Sequence, residues 1–271
     1  MDCIICDTPS SSCIERWPEI QIVQCPNCGH VFWNGETTAE QQRLLYSEDY
    51  FKEGEYSDYQ GDKHPIQRNF KGRKRRIVRY KTQGNLLEIG SAYGFFLELM
   101  RDQFNVVGFE VCKEAAEFAR NLLGLPVLNE DFLTYDLKQR YDVICMWDVI
   151  EHLQRPDLFL ARIASCAADD AYLFLTTGDI SALVPRIRGP KWRLVHPPTH
   201  IHYFGRATIR NLLEKFGFEV VEINHPGTWR SCHQFFASVF GLRSGRGFIP
   251  GSFYLNLYDI MCVVARKRSP A

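Results

Sequence analysis

The sequence predicts an α/β protein built on a doubly wound, mostly parallel sheet, and three observations predict it. Nearly unbroken apolar runs such as "YDVICMW" at 141–147 read as strands buried on both faces, as central parallel strands are. Stretches with helical spacing, such as "KEAAEFARNLL" at 113–123, alternate with those runs. A glycine-bearing turn, "EIGSAYG" at 88–94, stands where the first run gives way to a helix, the place where such sheets bind ligands.

Before that sheet begins, two C-x-x-C pairs dominate the segment 1–34. They are Cys3/Cys6 in "CIIC" and Cys25/Cys28 in "CPNCGH". Each spacer lets a tight knuckle point two thiolates at one ion, and the stretch from Cys6 to Cys25 lets the chain return to complete a tetrahedral sulfur site. "IQIVQ" and "HVFW" flank the second knuckle as a small hairpin would. So short a segment cannot build an adequate core, and a structural Zn2+ would supply the missing folding energy. Cys13 and His30 are the substitutes if one of the four is not a ligand.

A tyrosine-rich join follows, "LLYSEDYFKEGEYSDYQGD". Its Tyr46, Tyr50, Phe51, Tyr56 and Tyr59 have apolar area to bury, either over a pocket or between the module and the body. Next comes "FKGRKRRIVRYK" at 70–81, with seven basic residues. Helical spacing turns Phe70, Ile77 and Tyr80 inward and predicts a solvated basic face in preference to a polyanion-binding patch.

From 85 onward the strands are "NLLEIG", "NVVGFE", "YDVICMW", "AYLFLTT", "FEVVEIN" and "LYDIMCVVARK". The intervening helices are "FFLELMRDQF", "KEAAEFARNLL", "PDLFLARIASCAA" and "RATIRNLLEKFG". An aromatic and glycine-rich insertion, 225–256, precedes the last strand as a pocket wall or a subunit contact; its His225 and His233 read as structural. At the strand ends, Glu88, Gly90 and Gly94 lie on the first turn and Glu110 closes the second strand, where an acid can hold both hydroxyls of a ribose. Asp131 lies in "NEDF", and "WDVIEH" at 147–152 ends the central strand. The G-x-G-x-x-G pattern of dinucleotide enzymes is missing, so NAD is weakly supported.

The block 86–96, with Glu110, Asp131 and "YDVICMWDVIEHLQRP", resembles the class I S-adenosylmethionine-dependent methyltransferases, in particular the branch of ubiquinone-biosynthesis O-methyltransferases. The resemblance implies a seven-stranded sheet over 35–271 behind a zinc-ribbon-like module at 1–34. It further implies that Glu88, Gly90, Ala92, Tyr93 and Gly94 line the methionine part of S-adenosyl-L-methionine and that Glu110 holds the ribose. Asp131 would bond the adenine amine, Phe132 would pack beside that ring, and Trp147 and Asp148 would lie near the cofactor. Ala92 stands where the family more often has glycine or a small polar residue.

Methyl transfer mainly needs the acceptor held in line and water excluded, and a hydroxyl acceptor gains from a base. His152 and the trio His196, His200 and His202 in "HPPTHIHYFG" are the candidates. Spacing puts His200 and His202 on one face of an extended segment, so the expectation is that one of them meets His152 across the pocket. A metal at the trio lacks an obvious third ligand. The reading is methyl transfer to a small molecule, most readily a hydroxyl of a sugar or secondary metabolite, with N- or C-methylation as alternatives.

Lys plus Arg and Asp plus Glu are equal at 32 each, which argues against a nucleic-acid partner. An RNA methyltransferase stays as an alternative because some ribosomal-RNA enzymes join a zinc module to this fold, although the Asn/Asp-Pro-Pro-aromatic motif is missing. A non-catalytic scaffold is the other. No apolar run has transmembrane length and no signal peptide is evident, so a cytoplasmic location is expected. A homodimer is left open.

Overall fold

The computed structural model describes residues 2–36, 63–232 and 251–268. The tyrosine-rich join, His233 and the middle of the 225–256 insertion lie outside the described residues.

Three short strands, β1 (Ile14–Trp17), β2 (Ile22–Gln24) and β3 (Val31–Trp33), form the N-terminal module. The body follows as α1 (Lys63–Val78), β4 (Gly84–Ile89), α2 (Phe95–Met100), β5 (Phe104–Phe109), α3 (Lys113–Leu123) and β6 (Val127–Leu128). Next come β7 (Tyr141–Trp147), α4 (Pro156–Cys166), β8 (Ala167–Gly178), α5 (Leu183–Arg188), β9 (His202–Tyr203) and α6 (Arg206–Lys215). The chain closes with β10 (Phe218–Asn224), the hairpin β11 (Thr228–Ser231) and β12 (Ser252–Leu255), and β13 (Ile260–Lys267).

The main sheet has seven strands in the order β10-β13-β8-β7-β4-β5-β6, and β13 alone runs antiparallel to both of its neighbours. This is the doubly wound sheet the apolar runs predict. The chain moves outward from β4 through β5 to β6 and then returns to β7 on the other side of β4. The order therefore reverses between β4 and β7, and the crevice beyond their carboxyl ends is where such sheets take ligands.

Alternate residues of each central strand serve opposite faces, as the two-residue period demands. Leu86, Val143, Cys145 and Phe174 join the core formed with α1, α2 and α3. Leu87, Ile144, Met146 and Leu175 join the one formed with α4 and α6. The second core continues without a break into Cys3, Ile4, Ile5, Cys25 and Phe32, so the N-terminal module shares the body's hydrophobic core.

The module is also joined to the body by backbone. β9 pairs antiparallel with β3, at Val31–Tyr203 and Phe32–His202, and makes the module's sheet four-stranded in the order β1-β2-β3-β9. Trp33 N–H donates to the Ile201 carbonyl (2.8 Å), and Ile201 N–H donates to the Glu151 carbonyl (3.0 Å). A line of hydrogen bonds thus runs from the module to the segment that follows β7. Lys215 at the end of α6 adds an ion pair to Asp7 (3.1 Å).

Candidate active site

The turn after β4 adopts left-handed backbone at Gly90 (φ 74°), Ala92 (φ 45°) and Gly94 (φ 76°). Gly90 and Ser91 N–H groups both donate to the Phe109 carbonyl, which stitches the turn to the end of β5. A Cβ on Gly90 would lie 2.6 Å from Val149 Cγ2, so only glycine lets the turn press against the end of β7. At Ala92 the same conformation costs about 1 kcal/mol, which is the local price of keeping a side chain there.

Glu110 is buried and holds this turn to the start of α3: its Oε2 accepts from Ala92 N–H (2.7 Å) and its Oε1 from Cys112 N–H (2.8 Å). Burial pushes its carboxyl upward, and the backbone N–H groups of Cys112, Ala92 and Val111 oppose that shift. Glu88, at the end of β4, is buried too, and burial raises its carboxyl well above the usual range; Arg73 opposes the rise and Glu110 adds to it. Among the described residues, Glu88 Oε2, Ser91 Oγ and Trp147 Nε1 are buried without a hydrogen-bond partner. Three unmet polar atoms around one glycine cradle match the needs of a polar ligand with donors and acceptors, such as the amino-acid end of S-adenosylmethionine. Tyr93 is almost wholly buried against Phe95 and Phe118, under the turn.

Asp131 is exposed, and its Oδ1 accepts from Leu133 N–H (2.9 Å), fixing the turn after β6. Phe132 follows Asp131 directly. Its ring is only 3% exposed, between Phe109 and Phe159, and serves the core under Asp131.

Asp148 ends β7 with φ 56°, an uncommon conformation for a residue with a side chain. It is held from both ends. Its N–H donates to the Thr176 carbonyl and Oγ1, and its Oδ2 accepts from Arg73 (3.0 Å). The Arg73 guanidinium also lies over the Trp147 ring at 4.7 Å, while Trp147 meets Phe96 edge-on.

The basic face of α1 keeps Lys71 and Arg75 exposed, as a solvated face does, but part of it is walled in. Phe70 and Ile77 are buried as predicted, but Arg68, Arg73, Arg75, Arg76 and Arg79 line a cleft of about 380 Å3. Its opposite wall is the β11–β12 hairpin, with Trp229 and Tyr254, and its floor includes Thr176. The sequence alone missed this because the hairpin that converts a helix face into a cleft wall lies far downstream. The hydrogen bonds between Asn69 and Trp229 join positions 160 residues apart.

Of the expected histidine pairings, one forms. His152 and His200 meet edge-on, 4.4 Å between ring centres, and His196 packs on His200 at 3.9 Å. His152 Nδ1 faces the Thr199 carbonyl (3.0 Å) and His200 Nδ1 the Leu194 carbonyl (2.9 Å). A carbonyl only accepts, so each ring carries a proton on Nδ1. Burial, with His152 and His196 beside it, holds the His200 imidazole down to about 2, hence neutral at any working pH. Ligand atoms of Glu151, His152 and His200 all lie within 4.8 Å of one another, a grouping that the spacing of the trio alone does not reveal.

His202 takes a different place from the one expected. It does not join His152; its Nδ1 lies 3.1 Å from Nε2 of His30, and the two rings stack with Phe32 and Phe204 in the interface with the module. Side chains two apart on β9 share a face only if the strand continues. The turn at His196–His200 breaks that extension before it reaches His202.

In the module, Sγ atoms of Cys3, Cys6, Cys25 and Cys28 converge within 4.8 Å of one another, with Cys3–Cys28 at 3.4 Å and Cys6–Cys25 at 3.5 Å. Sulfurs 2.3 Å from a tetrahedral ion stand about 3.8 Å apart, so the four thiols fit such an ion. His30 and Cys13 are not in this group: His30 is taken by His202, and Cys13 Sγ points to the Pro9 carbonyl.

A protein-family model described as a methyltransferase domain matches residues 62–223. No curated protein matches the chain in sequence. Among solved structures it is similar to an S-adenosylmethionine-dependent methyltransferase from Archaeoglobus fulgidus (19% identity, TM-score 0.53, 74% of this chain and 94% of that one). It is also similar to the N-methyltransferase NodS of Bradyrhizobium japonicum in complex with S-adenosylhomocysteine (15%, 0.51, 76% and 89%). A third is the magnesium protoporphyrin IX methyltransferase of Synechocystis with S-adenosylhomocysteine bound (16%, 0.50, 86% and 90%). At these identities the likeness is one of fold.

Proposed function

Because this chain belongs to the methyltransferase-domain family over more than half its length, we propose that it moves the methyl group of S-adenosylmethionine to a hydroxyl of a small molecule. The observation that carries the cofactor assignment is the left-handed turn at Gly90–Gly94 with unmet polar atoms on Glu88, Ser91 and Trp147 around it. The turn and Trp147 would hold the methionine end, Glu110 the ribose, and Asp131 the adenine amine. When bound, the cofactor supplies an electrophilic methyl on a sulfonium. The residues of the chain then have only to place an acceptor in line with it, exclude water and take up a proton.

His152 is the group we assign to the proton. It is partly exposed, while His200 is buried. Its Nδ1–H is committed to the Thr199 carbonyl, which fixes the ring and makes Nε2 the atom that, in the neutral ring, would take the hydroxyl proton of the acceptor. His200, neutral and packed on it, orients that ring; with an imidazole held near 2 it is a poor base itself. His202 has no part in the chemistry in this reading. Its role is to fasten the module.

The four cysteines would hold a structural zinc ion, whose ligand set is complete without water. The ion would fix β3, and through the β3–β9 pairing the segment carrying His200.

The test is calorimetric binding of S-adenosylmethionine, followed by release of S-adenosylhomocysteine with a panel of hydroxyl and amine acceptors. Absence of cofactor binding would sink the proposal. Turnover on amines alone would move the acceptor atom from oxygen to nitrogen.

A further inference from the structure

The arginine cleft adjoins the candidate cofactor site and has a composition that selects a ligand. Its lining includes Thr176, whose hydroxyl accepts from Asp148 N–H, and Arg73 spans from the cleft to Asp148 and the Trp147 ring. A molecule seated there extends away from the carboxyl ends of β7 and β8, where the methyl group would be presented.

Charge in the cleft is unbalanced. Four arginines of α1 and Arg79, just past its end, line it, against two paired carboxylates. Arg73 pairs with Asp148, and Arg76 and Arg79 share Glu222. Arg68 and Arg75 have no ion pair among the described residues; Arg68 donates to Ser252 Oγ (3.2 Å) and stacks 3.3 Å from the Trp229 ring. The excess lies on one helix face at a spacing of three and four residues, so the guanidiniums converge on one stripe. Guanidinium is the side chain that grips phosphate oxygens by two parallel N–H donors. Across the stripe, Trp229 and the half-exposed Tyr254 offer aromatic surface with ring centres 5.6 Å apart.

We infer that this cleft binds the phosphate-bearing end of the acceptor, which is a phosphorylated small molecule and most simply a nucleoside diphosphate conjugate, with the phosphates on the α1 arginines and a planar base on the hairpin. The inference rests on the methyl-transfer reading and narrows its substrate class. Thr176, Arg73 and Asp148 would then place the far end of the conjugate toward His152.

The experiment uses the full chain saturated with S-adenosylhomocysteine and titrates it with uridine diphosphate, inorganic pyrophosphate, benzoate and a single-stranded RNA hexamer. Arg75→Glu tests the cleft, since this residue is exposed and its reversal leaves the core intact. Lys71→Glu, an exposed residue of α1 outside the cleft lining, makes the same charge change as a control. Expected are binding of uridine diphosphate and pyrophosphate, the former tighter, at least tenfold weakening by Arg75→Glu and less than twofold by Lys71→Glu. Pyrophosphate binding as tight as uridine diphosphate would keep the phosphate site and remove the base. Benzoate binding equal to pyrophosphate, equal weakening by both variants, preference for the RNA hexamer, or no binding at all would each overturn the inference. If S-adenosylhomocysteine itself fails to bind, it is the methyl-transfer reading that fails. If it binds and the phosphates do not, only this assignment of the cleft falls.

Discussion

Replacing His202 by phenylalanine is expected to change the pH dependence of stability more informatively than stability itself. At neutral pH the variant keeps the ring packing on His30 and Phe204 but leaves Nε2 of His30 buried without its partner at 3.1 Å, which costs about 1–3 kcal/mol. The titration works in the other direction. Burial lowers the His202 imidazole from the usual 6.5 to about 4, with the Gln154 and Leu153 carbonyls and Asp157 opposing the shift. A base depressed in the fold is protonated first in the unfolded chain. It therefore contributes fully above about 6.5, and that contribution is lost as pH falls toward 4. Between pH 7 and pH 5 the loss is close to 1.5 pH units at about 1.4 kcal/mol each, or about 2 kcal/mol. Phenylalanine removes this loss. The gap between wild type and variant should thus shrink by about 2 kcal/mol on going from pH 7 to pH 5, nearly closing. Urea unfolding followed by tryptophan fluorescence, with equal metal content in both proteins, measures it. Glu88 and Glu110 titrate in the opposite sense but equally in both proteins, so they cancel in the difference. A gap that stays constant or widens would show that His202 is not neutral and enclosed in the fold, and the interface described above would be wrong.

Gly90→Val puts a branched side chain at φ 74° and against Val149, so cofactor affinity measured by calorimetry should fall more than tenfold. His152→Gln should lower kcat on a hydroxyl acceptor by about 100-fold or more with S-adenosylmethionine affinity within twofold; unchanged turnover would remove the base from the mechanism. Elemental analysis should find one zinc per chain, and Cys25→Ser should lose both the ion and several degrees of melting temperature. An intact, equally stable protein without metal would refute the thiol site.

Much of the fold is legible in the sequence because its central elements are decided locally. β7 and β10 occupy 141–147 and 218–224, the spans of their apolar runs, and α3 occupies 113–123, where its spacing puts it. The positions of Gly90, Glu110 and Asp148 around the switch point follow from the strand ends. What the sequence conceals is what depends on distant partners. β6 and β9 have two residues each, too few for any periodicity, and exist because β5 and β3 pair with them. α5 has only six residues, with Pro185 inside it, so it carries no repeating pattern. The histidines of 196–202 look alike on the page, and only tertiary contacts separate the one beside His152 from the one beside His30. The arginines of α1 read as a solvated face until the paired strands β11 and β12 are set opposite them.

The β3–β9 pairing also imposes an order of events on a growing chain. The two strands are separated by about the 172 positions that part His30 from His202. At a synthesis rate of roughly 5–20 residues per second, β3 waits on the order of 10–30 s for its partner. During that wait the apolar edge of Val31, Phe32 and Trp33 has no neighbour, the condition in which a strand pairs with the wrong chain. Early capture of the ion by the four cysteines would hold that edge in a twisted, three-stranded form while the rest of the protein is made. The metal would then matter most before the active site exists.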